Sequence, residues 1–303
     1  MPAAGYELHA LRVVSLPRRS PIGAAKAVAI DSRAFVAARR MIRELRPDAV
    51  FGAGGYVAGP VGLAALMARI PLVLLESDSH LGLTNRVLAP LAHRVCLAFP
   101  LDGRDGTRYR VTGRPVPPPA TDRAAARARF GIAPDEDCVL VFGGSLGARS
   151  INHAALEAFG GAHFHVLHAA GTRDLADLTS PGPQYDLRGY ISDFGEAILA
   201  SDLVVARSGG SVFEVAAHGK PMVLIPYPHA TGDHQTENAR YMEREGAAVV
   251  ITDGHLDGRR LAAEVGNLLA DRNRLLTMAR ASAALARPDA AREVAGEILR
   301  ALA

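Results

Sequence analysis

Glycine, serine and carboxylate residues are grouped in loops of the C-terminal half of the chain, where their spacing suits anion binding. The first group, residues 143–149, follows the apolar run 138–142 and contains Gly144 and Ser145. Such a turn lets backbone N–H groups approach an anion, and a helix that begins after it adds partial positive charge. Ser145 could donate a hydrogen bond to a phosphate oxygen. For this loop alone, a tight turn that merely needs glycine is the alternative interpretation.

A second loop of the same kind, residues 207–214, follows the apolar run 203–206. Glu214 would lie on the first turn of the next helix, where a carboxylate can bridge the two hydroxyls of a ribose while the preceding amides face phosphate. A first-turn carboxylate that only complements the helix dipole is the alternative.

The third loop, residues 227–239, is rich in polar side chains that can both donate and accept hydrogen bonds. Asp233, Gln235 and Asn238 are of the type that orients sugar hydroxyls. An ordinary helix cap at Asp233 or Thr236 is the alternative. We expect all three loops at the C-terminal ends of parallel strands, where ligands bind in open α/β sheets.

Neither a metal nor another cofactor is predicted. His163, His165 and His168 resemble a ligand set, but on a strand His168 would point away from the other two. They are interpreted as core or surface histidines. Cys96 and Cys138 lie in apolar runs and are predicted to be buried thiols, which argues against a disulfide or zinc framework.

The elements that must position these loops alternate between short β-branched runs and longer helical patterns. This alternation is typical of parallel sheets with helices on both faces, and it predicts an α/β fold. The predicted strands are 48–51, 71–75, 94–98, 109–111, 138–142, 163–168, 203–206, 221–226 and 247–251.

A length of 303 residues predicts two domains, and the proline-rich segment 115–122 is the predicted connector. Its Thr121 or Asp122 could cap the next helix. The predicted division is 1–120, 121–285 and a final helix at 286–303 that could pack back on the first domain. From 256 to 303 the pattern is helical, with one interruption near 287–289.

Membrane insertion is not predicted. The start of the chain lacks a basic segment followed by an apolar one, so no secretory signal is expected. The uncharged stretch 49–68 is long enough to span a bilayer, but its glycines and Pro60 divide it into strand, loop and helix.

Charge is unevenly divided along the chain. Residues 1–120 carry 16 Lys and Arg against 8 Asp and Glu, whereas the remainder carries 18 against 23. A basic first domain suits an anionic partner such as a membrane surface or a diphosphate, and a solvated basic face is the alternative. Nucleic acid is not expected as a partner, because the arginines between Arg33 and Arg46 have few interleaved aromatics.

Taken together, these motifs resemble the MurG family of glycosyltransferases. In the C-terminal half they are Gly-Gly-Ser-x-Gly-Ala-Arg at 143–149, Arg-Ser-Gly-x(4)-Glu at 207–214 and Asp-His-Gln-x-x-Asn-Ala at 233–239. In the N-terminal half, 52–60 and 82–85 resemble acceptor-side motifs of the family. The resemblance implies two Rossmann-like domains facing across a cleft, of the GT-B type. It also implies transfer of N-acetylglucosamine from UDP-N-acetylglucosamine to an undecaprenyl-linked muramoyl-pentapeptide at the cytoplasmic face of the cell membrane.

The same resemblance assigns site residues in both halves of the chain. Ser145 would contact the donor diphosphate, Ile191 the uracil through its backbone, Glu214 the ribose and Gln235 the sugar. The remaining donor-side residues are Gly144, Gly209, Gly210, Ser211, Val212 and Phe213, of which the last five face the phosphates. The acceptor-side residues are Gly54, Gly55, Tyr56, Glu76, Asp78 and Asn85.

One part of the family pattern has no counterpart. The family begins with a strand and a glycine-rich loop whose histidine is a candidate general base, whereas residues 6–15 here align with a later strand. The first βα unit is therefore expected to be missing, and the catalytic residue is unassigned, with His80 as a candidate. This leaves a catalytically impaired UDP-sugar-binding paralogue or complex member, a glycolipid transferase and a UDP-sugar epimerase as alternatives.

Overall fold

Two parallel sheets organise the chain, each within a unit of its own. The computed structural model describes residues 5–14 and 21–302, with the side chains of 21–29 and 231 left out of the description. One unit comprises Met1–Arg114 with Asp289–Ala303, and the other comprises Pro115–Pro288. These are called the first and second units below.

The helices and strands alternate along the chain. In order they are α1 Pro21–Leu45, β1 Val50–Gly52, α2 Ala58–Met67, β2 Leu72–Glu76, α3 Leu83–Leu88, β3 Arg94–Leu97, β4 Tyr109–Val111, α4 Arg123–Arg129, β5 Cys138–Phe142, α5 Arg149–Phe159, β6 His165–Ala169, β7 Tyr185–Arg188, α6 Phe194–Ala200, β8 Leu203–Ala206, α7 Val212–Ala217, β9 Met222–Leu224, α8 His234–Arg244, β10 Ala248–Val250, α9 Gly258–Ala270, α10 Arg272–Ala284 and α11 Ala290–Arg300.

The first unit contains a four-stranded parallel sheet in the order β1–β2–β3–β4. The inner strand β2 is fully buried, as expected for an apolar run that ends in Glu76. Helix α11 belongs to this unit, where Val294 and Ala301 pack against Val73, Leu75 and Cys96 of β2 and β3.

The second unit contains a six-stranded parallel sheet in the order β10–β9–β8–β5–β6–β7. From β5 the chain proceeds outward through β6 and β7, then returns to place β8 on the other side of β5. The strand order therefore reverses between β5 and β8. Such a switch point opens a crevice at the carboxyl ends of the strands, and ligands of open α/β sheets bind there.

Three helices of the second unit, α4, α9 and α10, begin at an aspartate that caps them. Asp122, Asp257 and Asp271 each accept a hydrogen bond from the backbone N–H three residues later, at 2.9, 2.7 and 3.0 Å. Each bond satisfies an amide that has no partner within its own helix. The predicted capping role of Asp122 is confirmed, whereas Asp271 interrupts the region 256–303 a second time and was not predicted.

The predicted α/β fold with two parallel sheets is confirmed, and every predicted strand run overlaps an observed strand. Two local expectations are wrong. Residues 5–14 form no strand, although residues 6–15 were aligned with one; Ser15 itself lies outside the described residues. Strand β6 begins at His165, which leaves His163 in the preceding loop.

No described helix has both the length and the apolar character required to cross a bilayer. Cys96 and Cys138 are buried and unpaired, as predicted. Burial raises the pKa of Cys96 to about 11 and that of Cys138 to about 12, so both stay protonated thiols at neutral pH.

Candidate functional site

The loop between β5 and α5 is held in its turn by glycines that have no room for a side chain. A Cβ at Gly143 would overlap Ala148, and one at Gly147 would overlap the carbonyl of Ala170 in the neighbouring loop. Gly144 has a φ of +94° and open space around it, and both Gly144 and Ser145 are exposed. Lack of space for a side chain thus explains the glycines at 143 and 147. Gly144 and Ser145 face solvent at the N-terminal end of α5.

The loop between β8 and α7 brings Glu214 to the first turn of its helix, as predicted. Glu214 is half-buried, whereas the side chains of Val212 and Phe213 are buried in the core. The amides of Val212 and Phe213 donate to Gly209 O at 3.2 Å and Gly210 O at 3.3 Å. These two residues therefore contribute turn geometry, and Gly209, Gly210 and Ser211 form the half-buried surface of the loop.

The loop between β9 and α8 is tied to the loop before it. Gln235 Oε1 accepts from Tyr227 N at 3.0 Å, and Ser208 Oγ donates to Gln235 O at 2.7 Å. Asn238 is fully buried, with its Nδ2 donating to Ser208 O at 3.0 Å. The residues predicted to contact the sugar differ in their surroundings. Gln235 is half-exposed beside Gly209, whereas Asn238 is buried and holds the two loops together.

Asp233 combines strain with a local hydrogen bond. It has a φ of +59° at the N-cap position of α8, without a capping bond from its side chain to the backbone. Instead its Oδ1 accepts from Thr236 Oγ1 at 2.6 Å. The ordinary cap proposed from sequence is therefore not formed.

Ile191 lies in the loop after β7, at the same carboxyl edge of the sheet but on its outer flank. Its side chain is buried, so any contact with a ligand would come from its backbone, in agreement with the type of contact expected. The predicted donor-side residues thus follow β5, β7, β8 and β9, and three of these strands are adjacent in the sheet.

His218 is a further residue of this region that sequence reasoning missed. Its Nδ1 lies 2.7 Å from Glu214 O, to which it donates, and its Nε2 accepts from Ala120 N at 3.1 Å. Burial and the nearby Lys220 lower the pKa of His218, which favours the neutral ring that this arrangement needs. His218 therefore joins the end of the proline-rich connector to the helix that carries Glu214. The signal available in the sequence was a histidine four residues after Glu214, on the same helical face.

The two histidines of β6, His165 and His168, are buried in the core, whereas His163 is exposed. His168 is buried, with Nδ1 2.7 Å from the Tyr185 hydroxyl and Nε2 3.0 Å from Asn152 Oδ1. Asn152 Nδ2 in turn donates to Ala170 O at 2.9 Å. Among the described residues, no cluster of His, Cys, Asp and Glu has the geometry to hold a metal ion.

In the first unit, the predicted acceptor-side residues lie at or after the carboxyl ends of β1 and β2. Gly54 and Gly55 have φ values of +88° and +76°, and Tyr56 after them is exposed. Asp78 and His80 are half-buried on the loop that follows β2.

Glu76 and Asn85 stabilise that second loop from within. Glu76 Oε2 accepts from Gly82 N at 2.8 Å and from Asn85 Nδ2 at 2.9 Å, while Oε1 accepts from Asp78 N at 3.2 Å. Glu76 and Asn85 are both buried. Their observed contacts fix the conformation of the loop. A contact with the acceptor stays a prediction for both residues, and the role of His80 as a base also stays a prediction.

Known proteins are similar to this chain over nearly its whole length. Residues 138–294 match the glycosyltransferase family 28 C-terminal domain, and residues 1–97 match the N-terminal domain of the same family. The protein of Moorella thermoacetica named UDP-N-acetylglucosamine–N-acetylmuramyl-(pentapeptide) pyrophosphoryl-undecaprenol N-acetylglucosamine transferase is 40% identical over 99% of this chain and 86% of its own length. The chain belongs to the MurG family. The transferase of the same name from Rubrobacter xylanophilus is also 40% identical, over 99% of this chain and 91% of its own length.

Solved structures agree with this membership of the MurG family. The crystal structure of Acinetobacter baumannii MurG superposes with a TM-score of 0.73 at 30% identity, covering 90% of this chain and 79% of that one. A UDP-GlcNAc 2-epimerase from Neisseria meningitidis, solved with UDP-GlcNAc, gives a TM-score of 0.67 at 14% identity over 95% of this chain and 84% of its own. The second likeness shows a shared fold alone.

Proposed function

We propose that this protein transfers N-acetylglucosamine from UDP-N-acetylglucosamine to the undecaprenyl-linked muramoyl-pentapeptide acceptor of peptidoglycan synthesis. The observation that carries the proposal is the convergence of the loops after β5, β8 and β9 at the switch point of the second unit. It is supported by relatives that bear the name of this transferase and match nearly the whole chain.

In the proposed reaction, the loops of the second unit hold the donor. Ser145 and the exposed Gly144 face the diphosphate at the N-terminal end of α5, where the helix dipole favours negative charge. Glu214 bridges the ribose hydroxyls, Gln235 binds the sugar and the backbone of Ile191 meets the uracil. The domain of residues 121–285 is thus the proposed donor domain.

Sugar transfer then proceeds with inversion at the anomeric carbon. A base removes the proton of the acceptor hydroxyl, the oxygen forms a bond to the anomeric carbon, and the bond from that carbon to the UDP oxygen breaks. The negative charge that develops on UDP is stabilised by the amides of the β5–α5 loop. The proposed acceptor side is formed by the loops that contain Tyr56 and Asp78.

We also propose that the protein binds peripherally to the anionic, cytoplasmic surface of the cell membrane through its first unit. Helices α2 and α3 pack through Gly62 and Leu88, and both display exposed apolar side chains near this contact. These are Leu63 and Met67 of α2, Leu83 and Val87 of α3, and Leu91, which follows α3. Arg69 and Arg86 add exposed positive charge beside them.

Calorimetric titration with UDP tests the donor site. The intact chain should bind UDP, and Glu214→Ala should weaken binding about tenfold or more, because two hydrogen bonds to a charged group are lost. Glu293→Ala is the matched control, since Glu293 is also a first-turn carboxylate, on α11 of the first unit. Absence of UDP binding, or equal affinity of the two variants, would contradict the proposal.

A transfer assay with the lipid-linked acceptor separates the transferase from a binder that lacks activity. The expected result is transfer of N-acetylglucosamine that is lost in Glu214→Ala and retained in Glu293→Ala. UDP binding without transfer by the intact chain would refute the transferase and favour the catalytically impaired UDP-sugar-binding paralogue.

A further inference from the structure

Arg207 is a buried cation at the centre of the second unit that the proposed chemistry does not use. It directly follows β8, with its side chain 10% exposed. Nη1 donates to Ile225 O and Pro226 O, both at 3.1 Å, and to Asp253 Oδ1 at 2.5 Å. Nη2 donates to Ser150 Oγ at 2.8 Å.

The acceptors of Arg207 come from different loops at the carboxyl edge of the sheet. Ser150 lies in the first turn of α5, directly after the β5–α5 loop, and Ile225 and Pro226 lead from β9 into the loop of Gln235. Asp253 follows β10 and also accepts from Ser150 Oγ at 2.7 Å. One guanidinium therefore connects its own loop with three others.

The charge balance and the geometry around Arg207 indicate that it connects loops and does not bind phosphate directly. The carboxylate of Asp253 balances the charge of Arg207, and the ring of Tyr227 covers the guanidinium, with 5.4 Å between Cζ and the ring centroid. A buried, paired cation of this kind has its donors committed to the protein. Two separate nitrogens must reach Ser150 and the Ile225–Pro226 carbonyls together, which a planar fork can do and a single ammonium cannot.

We propose that Arg207 is a positioning residue that fixes the spacing of the three donor loops, acting through Ser150, Asp253 and the carbonyls after β9 without touching the ligand. This inference rests on the proposed donor site. A site that holds a ligand through several loops loses affinity for it when the relative positions of those loops shift by a fraction of an ångström.

Arg127 provides a matched control within the same unit. It too is a buried arginine that donates to backbone carbonyls, those of Ala133 and Ala200, and it faces a carboxylate, that of Asp202 at 3.5 Å. Its partners precede β5 and β8, so they lie at the amino edge of the sheet, opposite the donor loops. R127K and R207K thus make the same chemical change at opposite ends of the same strands.

The test measures UDP affinity by calorimetry and the urea midpoint of unfolding for the intact chain and both variants. Both variants should lower the urea midpoint, but only R207K should raise the Kd for UDP, by about tenfold, with R127K within about twofold of the intact chain. An unchanged Kd in R207K, or an equal rise in R127K, would overturn the inference.

Two further arms keep the result interpretable. S150A removes one acceptor of Arg207 without leaving a buried charge, and a rise in the Kd for UDP of about threefold is expected even where R207K fails to fold. Uridine, which lacks the phosphates, should bind R207K more weakly than it binds the intact chain, because the helix that carries Glu214 moves. Equal uridine affinity of R207K and the intact chain would identify Arg207 as a phosphate ligand instead. Absence of UDP binding by the intact chain would refute the donor site itself, a result distinct from equal binding by the intact chain and R207K.

Discussion

His168 lies at the centre of a buried hydrogen-bond network beneath the β5–α5 loop. Because Asn152 Nδ2 donates to Ala170 O, Asn152 Oδ1 must accept from His168 Nε2, and His168 Nδ1 then accepts from the Tyr185 hydroxyl. This pattern needs a neutral imidazole. Burial lowers the pKa of His168 to about 4, in agreement with the network.

We expect this histidine to make stability depend on pH in a definite direction. Its folded pKa of about 4 lies below the unfolded value, so the unfolded chain binds more protons between pH 6.5 and 4. The contribution to the free energy of unfolding falls as pH decreases through that window, by about 3 kcal/mol in total.

Urea unfolding of the intact chain and of His168→Gln at several pH values measures this contribution. The free energy of unfolding of the intact chain should exceed that of His168→Gln by less at pH 4 than at pH 7. His153→Gln is the control, because His153 is exposed on α5, and its difference from the intact chain should stay constant. A difference in the free energy of unfolding between the intact chain and His168→Gln that stays constant with pH would contradict a buried, neutral His168.

Residue identities predicted the positions of the loops at strand ends better than the contacts within them. Gly144, Ser145, Glu214 and Gln235 lie where the motifs placed them, because glycine turns and strand ends are encoded locally. The links of Arg207 to Ser150 and Asp253 span 57 and 46 residues, so no local pattern could reveal them.

At the scale of elements, β7 is the described strand that the sequence did not predict. Strand β5 is an unbroken apolar run, whereas β7 has the sequence Tyr-Asp-Leu-Arg and lies at the edge of the sheet. Only Tyr185 of that strand is buried, so the sequence lacks the apolar signal. The break at Asp271 was missed because its neighbours Ala270 and Arg272 both favour helix.

Helix α11 is held on the sheet of the first unit by a buried carboxylate. Glu297 has a side chain 3% exposed, with Oε2 2.7 Å from Arg94 Nε of β3 and Oε1 2.8 Å from Arg300 Nη2. Burial tends to raise the pKa of Glu297, but Arg94 and Arg300 outweigh it, and the pKa lies below its ordinary value. The ion pair therefore stabilises the fold above the unfolded pKa and is lost as pH falls through the folded one.

Glu297→Ala should destabilise the first unit by about 2 to 3 kcal/mol, because it leaves the partly buried Arg94 without its carboxylate. Thermal unfolding followed by circular dichroism gives the change. Glu293→Ala, at an exposed position of the same helix, should change stability by less than about 0.5 kcal/mol. Equal effects of the two substitutions would show that the ion pair does not hold α11.

At the scale of the whole molecule, charge and exposed apolar surface are distributed unequally between the two parts of the chain. Residues 1–120 hold twice as many basic as acidic residues, and the apolar side chains displayed by α2 and α3 lie in the same part. The second unit carries the proposed donor loops. A division of this kind lets one unit meet an anionic lipid surface while the other binds a soluble nucleotide.

Sedimentation with lipid vesicles tests this division of roles. The protein should bind vesicles that contain phosphatidylglycerol and should bind phosphatidylcholine vesicles only weakly, with binding reduced by salt. Val87→Glu should weaken binding about tenfold, since it places a negative charge in the exposed apolar surface of α3. Leu276→Glu makes a comparable change at an exposed position of α10 in the second unit and should leave binding within about twofold of the intact chain. Vesicle binding that Val87→Glu leaves unchanged, or that Leu276→Glu weakens as strongly, would show that the membrane contact lies elsewhere than on α2 and α3.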